Sequence, residues 1–273
     1  MSTKPQQKPI RHYQGSTTKY VMRRLKESFP WYLMLAPCLI YIFIFDYIPM
    51  YGVQIGFRDY NAAKGIMGSN WVGLKHFARF LRYPYMLDLL KNTLTLTLYG
   101  LATFPMPVIL ALILNEIRHK KYKKTVQMIT YIPHFLTEVV VVSLVMLFLD
   151  PSTGPINNLI ALLGGEKQNF MGYPSAFPHI YVWSGVWQGM GWGSILYLSA
   201  LSSIDQELIE AARIDGANRF QIVRHINLPG ITPTIVICLI MSCGGLLSVG
   251  YSKVLLLQNP MNMQTADTIS TYV

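Results

Sequence analysis

Charge is scarce in this 273-residue chain: Asp, Glu, Lys and Arg make up 13% of it, about half the share usual in soluble domains. That leaves too few ionic groups to solvate the surface of an ordinary water-soluble enzyme. Cysteine is almost missing. Cys38, Cys238 and Cys243 each sit inside an apolar stretch, at a spacing that fits no metal site, and they read as small buried residues. Catalytic constellations are lacking too: the six histidines show no HExxH or similar ligand spacing, and neither a G-x-S-x-G turn nor a G-x-x-x-x-G-K-[ST] phosphate loop occurs. The expectation is therefore no catalytic residue and no metal site. Nor does a cleavable leader appear, because the first long apolar run follows roughly thirty polar residues and ends without a small-residue cleavage pattern.

What the chain has instead is apolar sequence, 52% of its residues, with a mean hydropathy of +0.32. About 20 mainly apolar residues cross a hydrocarbon core of about 30 Å as a helix. Five stretches qualify: Trp31 to Met50, Leu94 to Leu114, Val126 to Leu149, Ile180 to Leu201 and Ile231 to Leu257. Pro37, Pro105, Pro107 and Pro133 within them are tolerable where neighbouring helices and water re-satisfy the freed carbonyls. The sequence thus predicts an all-α integral membrane protein, with a tail over residues 1–29 and a membrane domain over 30–273.

The net charge of +10 could point to nucleic acid, but its distribution argues against that partner. Seven basic residues precede Pro30, six lie between Tyr51 and Lys91, and five lie in Arg118 to Lys124. They mostly flank apolar runs, where anionic lipid headgroups and the positive-inside rule account for them. The rule favours a cytoplasmic N-terminus, an outer loop at 51–92 and a cytoplasmic loop at 202–229. Within the outer loop, Leu74 to Leu81 spaces its apolar residues like an interfacial helix. Five crossings from an inside start leave the C-terminus outside.

The loop between the fourth and fifth runs gathers seven scarce charges, Asp205, Glu207, Glu210, Arg213, Asp215, Arg219 and Arg224, in twenty residues. Ser203 is expected to cap a helix through Glu210, with acidic residues near its positive end. Gly216 offers a break, Phe220 to Ile226 reads as a second short helix, and Pro229 is expected to end it. The small pair Ala211-Ala212 lets another surface approach closely, so the two helices suit docking to a partner; a solvated connecting loop is the competing reading.

Glu210-Ala211-Ala212, three residues, Gly216, nine residues, then Ile226-Asn227-Leu228-Pro229 resembles, position for position, the EAA pattern of binding-protein-dependent ABC importer permeases. The stretch Asp46 to Phe57, with Trp71-Val72-Gly73-Leu74 and His76-Phe77, is similar to the carbohydrate-uptake branch, in particular to polysaccharide and oligosaccharide importers of the alginate and rhamnogalacturonan type. The resemblance implies a type I importer permease bundle, with five spans here and a sixth expected to be missing through truncation. It implies as partners a second homologous permease, two nucleotide-binding ATPase subunits, an extracytoplasmic solute-binding protein, membrane lipids and a carbohydrate substrate. ATP and Mg would be bound by the ATPase subunits, with no cofactor in this chain. Coupling to those subunits would fall to Glu210, Ala211, Ala212, Asp215, Gly216, Ile226, Leu228 and Pro229.

Candidates for the substrate path come from charge and aromaticity inside the runs. Ionic groups there usually face a cavity or a partner. Asp46 reads as interfacial, Glu138 as either a structural network or a gate, and Lys253 as either a path residue or a group reaching outer headgroups. On the fifth run Ser248 and Ser252 share a face with Gly245, and Ser242 and Lys253 an adjoining one. This broad polar stripe suits a pathway or, equally, packing through small residues. In the fourth run Trp183 and Trp187 share a face and Trp192 points away. Aromatic rings stack on sugar rings, so Trp187, Gln188 and Trp192 are path candidates, whereas Trp183 reads as an interfacial belt residue. An ion-gradient-driven secondary transporter is the alternative, but it would need intramembrane ion ligands and would leave the EAA loop without a role.

Overall fold

A computed structural model describes residues 17–245 and 249–272, and its contacts divide the chain after Tyr83 into two compact units. The first unit is dominated by one continuous helical rod. Helix α1 (Thr17–Ile42) runs into a π-helical turn at Phe43–Tyr47, a short α2 (Ile48–Met50) and a 3-10 segment, Tyr51–Phe57. Its apolar part, Arg24–Phe57, has 34 residues, roughly 50 Å at about 1.5 Å per residue, so it outreaches a hydrocarbon core and contains the expected Trp31–Met50 span. Trp31, Met34 and Phe43 lie exposed along it, as suits a helix whose solvent is lipid.

Beyond the rod, β1 (Arg58–Asp59) and β2 (Asn70–Trp71) form a two-stranded antiparallel ribbon in the register Arg58 to Trp71, with α3 (Gly65–Gly68) in the connection between them. Phe57 stacks on Trp71 at 5.6 Å between ring centroids and leans on Phe77 at 5.3 Å. Arg58 donates to the Ser69 carbonyl at 3.0 Å and covers the Trp71 ring, while a His76 ring nitrogen lies 3.0 Å from the Arg58 carbonyl. The short helix foreseen near residue 74 is α4 (Lys75–Leu81).

In the second unit, α5 (Met86–Ala102) and α6 (Pro105–Glu116) form a 31-residue apolar pair. It is interrupted at Thr103-Phe104, because Pro105 and Pro107 belong to a first turn, where a missing N–H costs least. Helix α7 (Lys120–Tyr131) passes through a 3-10 turn at Ile132–Phe135 into α8 (Glu138–Leu149), capped by the Thr137 hydroxyl. The expected straight run Val126–Leu149 is therefore corrected: the chain bends by 108° there, with Pro133 in the turn and a fresh N-cap behind it. Asp150 then closes a tight turn, its Oδ1 accepting from the N–H and hydroxyl of Thr153 and of Ser152 at 2.7–2.9 Å. These bonds, the Thr153 amide first, hold its carboxyl well below the usual carboxylate range.

After α9 (Pro155–Leu162) comes α10 (Phe177–Ser202), the 26-residue axis of this unit, packed against α6 and α7. Gly191 makes the α7 contact possible: a Cβ there would run into the Thr130 carbonyl. The charged segment follows as α11 (Gln206–Ile214) and α12 (Arg219–Ile222), then a π-helical turn at Val223–Asn227 and α13 (Leu228–Gly244). The unit ends with α14 (Tyr251–Leu257), α15 (Met263–Ala266) and α16 (Ile269–Tyr272).

Two further expectations change. Pro229 does not end a helix; Arg219–Gly244 is continuous over 26 residues. The Leu228 N–H bonds to the Val223 carbonyl five residues back, and this wide turn accommodates the proline that follows. The same arrangement recurs where the Ile48 N–H reaches the Phe43 carbonyl just before Pro49. The fifth run, Ile231–Leu257, is divided between α13 and α14, with Gly244, Gly245 and Gly250 around the division. Among the described residues three helices are long and apolar enough to span a membrane, or four if the bent pair is one span. Helix α10 falls outside that group because glycines, serines and polar aromatics dilute its hydropathy, and the last run is shared between α13 and α14. Buried apolar side chains form two clusters, one around Leu96, Phe177, Val254 and Leu257, the other around Val108, Tyr197, Leu201 and Ile231.

Candidate functional site

Two features collect the candidate residues: the α11–α12 connection and a cavity beside α10. Asp205, not Ser203, caps α11, its carboxylate accepting from the Glu207 N–H at 3.0 Å. Ser203 instead donates to the Ala200 carbonyl at 2.7 Å and finishes α10. At the other end of α11, Gly216 adopts φ +82°. Its N–H bonds to the Arg213 carbonyl at 3.1 Å, and the Ala217 N–H reaches back to the Ala212 carbonyl at 2.9 Å. This is a Schellman closure, which favours glycine at that position. Asn218 restarts the helix with a reciprocal capping box: the Gln221 N–H donates to its Oδ1 at 2.9 Å, and its own N–H donates to Gln221 Oε1 at 2.7 Å. The N-x-x-Q spacing was there to be read in the sequence.

The result is a sharply turned helical pair. Ala212, Asp215, Gly216 and Ile226 line a small cleft of about 280 Å³ with Gln221 and His225. Glu210 and Ala211 are exposed on α11, and Leu228 and Pro229 carry the chain into α13. Ile209 is buried, whereas Leu208, Ile214 and Phe220 are exposed, Ile214 by 86% and Phe220 by 71%.

The cavity holds about 710 Å³ and is walled by α5, α6, α10, α13 and α14, within the range of ligand sites. It brings Trp192, Ser242 and Lys253 together. Lys253 is 6% exposed, and its Nζ donates to the Tyr181 carbonyl at 3.0 Å and lies 5.0 Å from the Tyr181 ring centroid. One face of Trp192 is taken by His134, stacked at 4.6 Å and nearly parallel. Gly185, Gly189 and Gly193, at i, i+4 and i+8 on α10, line the same cavity. On this wall the glycine strip lets Lys253 and Pro107 come close, a Cβ at Gly185 or Gly193 standing 3.2 Å from them, and the G-x3-G-x3-G spacing that encodes it is legible in the sequence.

Other path candidates lie elsewhere. Trp187 lines a separate apolar groove with Trp183, His179 and Phe148. Gln188 donates to the Leu136 carbonyl at 3.2 Å. Glu138 is exposed in the first turn of α8, and Ser248 lies outside the described residues. Trp183 donates to the Tyr99 hydroxyl at 2.8 Å, which in turn pairs with His179 at 2.9 Å.

Residues 103–273 match the family described as binding-protein-dependent transport system inner membrane component. The chain belongs to this family. The permease is 46% identical, over 89% of its own length and 76% of the relative's, to the polygalacturonan/rhamnogalacturonan transport system permease protein YteP of Bacillus subtilis (strain 168). It is 44% identical to Protein LplB of the same strain, over 92% of this chain and 80% of that one. Among solved structures it is similar to a bacterial ABC transporter involved in the import of the acidic polysaccharide alginate, with a TM-score of 0.84, 40% identity, and coverage of 93% of this chain and 85% of that one. A second is a bacterial alginate ABC transporter in complex with alginate pentasaccharide-bound periplasmic protein, with a TM-score of 0.83, 41% identity, and coverage of 92% and 83%. The permease is thus a predominantly helical inner-membrane transport subunit.

Proposed function

We propose that this permease forms, with a second homologous permease, the membrane path for an oligo- or polysaccharide delivered by an extracytoplasmic binding protein. ATP and Mg are bound, and ATP is hydrolysed, in two separate nucleotide-binding subunits. The N-terminus faces the cytoplasm, and so does the 202–229 loop. The carrying observation is the Schellman-closed pair α11–α12, on which Glu210, Ala211, Leu208, Ile214 and Phe220 lie exposed among the described residues. A charged rim around exposed aliphatic and aromatic groups is the composition of a docking surface. Closure of the ATPase dimer would push on this pair, and the continuous helix Arg219–Gly244 would carry the displacement to the cavity wall at Cys238 and Ser242.

Within the cavity, Trp192 and Ser242 are assigned to the sugar path. The carbohydrate class is supported by the relatives whose names specify polysaccharide transport. Proteoliposomes containing the whole complex, supplied with loaded binding protein, test the reading. Uptake of the oligosaccharide is expected to require ATP inside and to persist when ionophores collapse ion gradients. Uptake that follows the ion gradient and ignores ATP would overturn it.

A further inference from the structure

Among the described residues Lys253 is the one ionic side chain on the wall of the 710 Å³ cavity. It is buried, yet no Asp or Glu oxygen lies within 4 Å of its ammonium among them. Glu138 is exposed and forms no ion pair with it. An ammonium carries three donors. One is used on the Tyr181 carbonyl at 3.0 Å, and the Tyr181 ring offers only a weak cation–π contact at 5.0 Å. A cation taken out of water without a counter-charge is unfavourable unless something in the site neutralises it.

The surroundings keep that position open. Gly185 faces Nζ, and a Cβ there would stand 3.2 Å from it. Tyr181 is pinned because its hydroxyl accepts from the Gly250 N–H at 3.2 Å, so the ring that flanks the ammonium is fixed. Thr97 of α5 and Ser242 of α13 add hydroxyl-bearing side chains to the lining of the same cavity. A single ammonium matches a singly charged carboxylate; a dianionic phosphate would be left half neutralised.

Resting on the sugar reading above, we infer that Lys253 is a specificity residue that pairs with the carboxylate of a uronic-acid unit as the oligosaccharide passes the cavity, with Gly185 keeping the approach clear. Charge-assisted hydrogen bonds to a desolvated group discriminate strongly against an analogue that lacks it.

The test uses the complete reconstituted complex and two probes, a galacturonate trisaccharide and its carboxyl-reduced neutral counterpart, each at a concentration that saturates the binding protein. That protein is the same for every variant, so changes in the uptake ratio belong to the permease. Lys253→Gln is expected to lower uronate uptake by about tenfold or more while neutral uptake stays within about twofold. Lys253→Arg is expected to retain more uronate uptake than Lys253→Gln. A parallel loss of both sugars, or no loss of either, overturns the inference. If Lys253→Gln fails to assemble, Lys253→Arg and Gly185→Ala carry the test: each keeps a cation but displaces it, and each is expected to lower the uronate-to-neutral ratio, an unchanged ratio being the contrary result. Wild-type uptake of the neutral sugar but not the uronate overturns this inference alone, whereas ATP-dependent uptake of neither overturns the sugar reading and this inference with it.

Discussion

At Gly191 the backbones of α10 and α7 approach so closely that any side chain meets the Thr130 carbonyl, and the obstacle is main chain, which cannot swing aside. Gly191→Ala should therefore destabilise the permease by about 1–3 kcal/mol, the usual cost of overpacking a tight contact. Gly189 is a useful contrast, because nothing lies within 4 Å of a Cβ built there. Thermal unfolding in detergent, followed by tryptophan fluorescence or size-exclusion recovery, should show a clear drop in Tm for Gly191→Ala and little change for Gly189→Ala. Equal stability of the two variants would contradict the close approach. Lys253 belongs to the same scale: in the inference above its buried cation sets the preference for a carboxylate.

At the scale of elements, the loop between α10 and α13 is held by three closures of its own: Asp205 before α11, Gly216 after it, and Asn218 with Gln221 before α12. Gly216→Val would force a β-branched residue into the left-handed region, at about 1–2 kcal/mol. It should open the Schellman turn and misalign α11 against α12. The expected outcome is normal insertion and membrane level with sugar-stimulated ATPase activity reduced severalfold; unchanged stimulation would argue that the turn does not matter for coupling.

Much of this was legible in advance. The apolar runs, the glycine at 216 and the charged loop follow from hydropathy and turn chemistry. What escaped the pattern has physical causes. Hydropathy is blind to direction, so it read Val126–Leu149 as one run although Pro133 and the Thr137 cap turn it by 108°. A proline at 229 suggests a helix end, whereas a π-helical turn just before it removes the conflict, as at Pro49. Ser203 and Asp205 both suit an N-cap, and only the geometry of the α10 end assigns the hydroxyl to Ala200. Helical periodicity on α10 put Trp187 and Trp192 on different faces. It could not say which face met the cavity; that depends on the packing of α5, α6 and α13 and on the bare strip at Gly185, Gly189 and Gly193.

Taken as a whole, the permease separates its scarce charges by task. The ribbon β1–β2 holds Arg58 against Trp71, one lysine among the described residues faces the cavity, and seven ionic residues crowd the helical pair between Asp205 and Arg224. In the proposed assembly that pair is the mechanical link between nucleotide hydrolysis outside the chain and sugar movement within it. The most direct measurement is cysteine cross-linking from Ala211→Cys in the assembled complex to the nucleotide-binding subunits, with the native cysteines replaced and ATP present or withheld. The account predicts an efficient cross-link to a nucleotide-binding subunit whose yield changes when ATP binds. No cross-link to that subunit, or one to the extracytoplasmic binding protein instead, would contradict it.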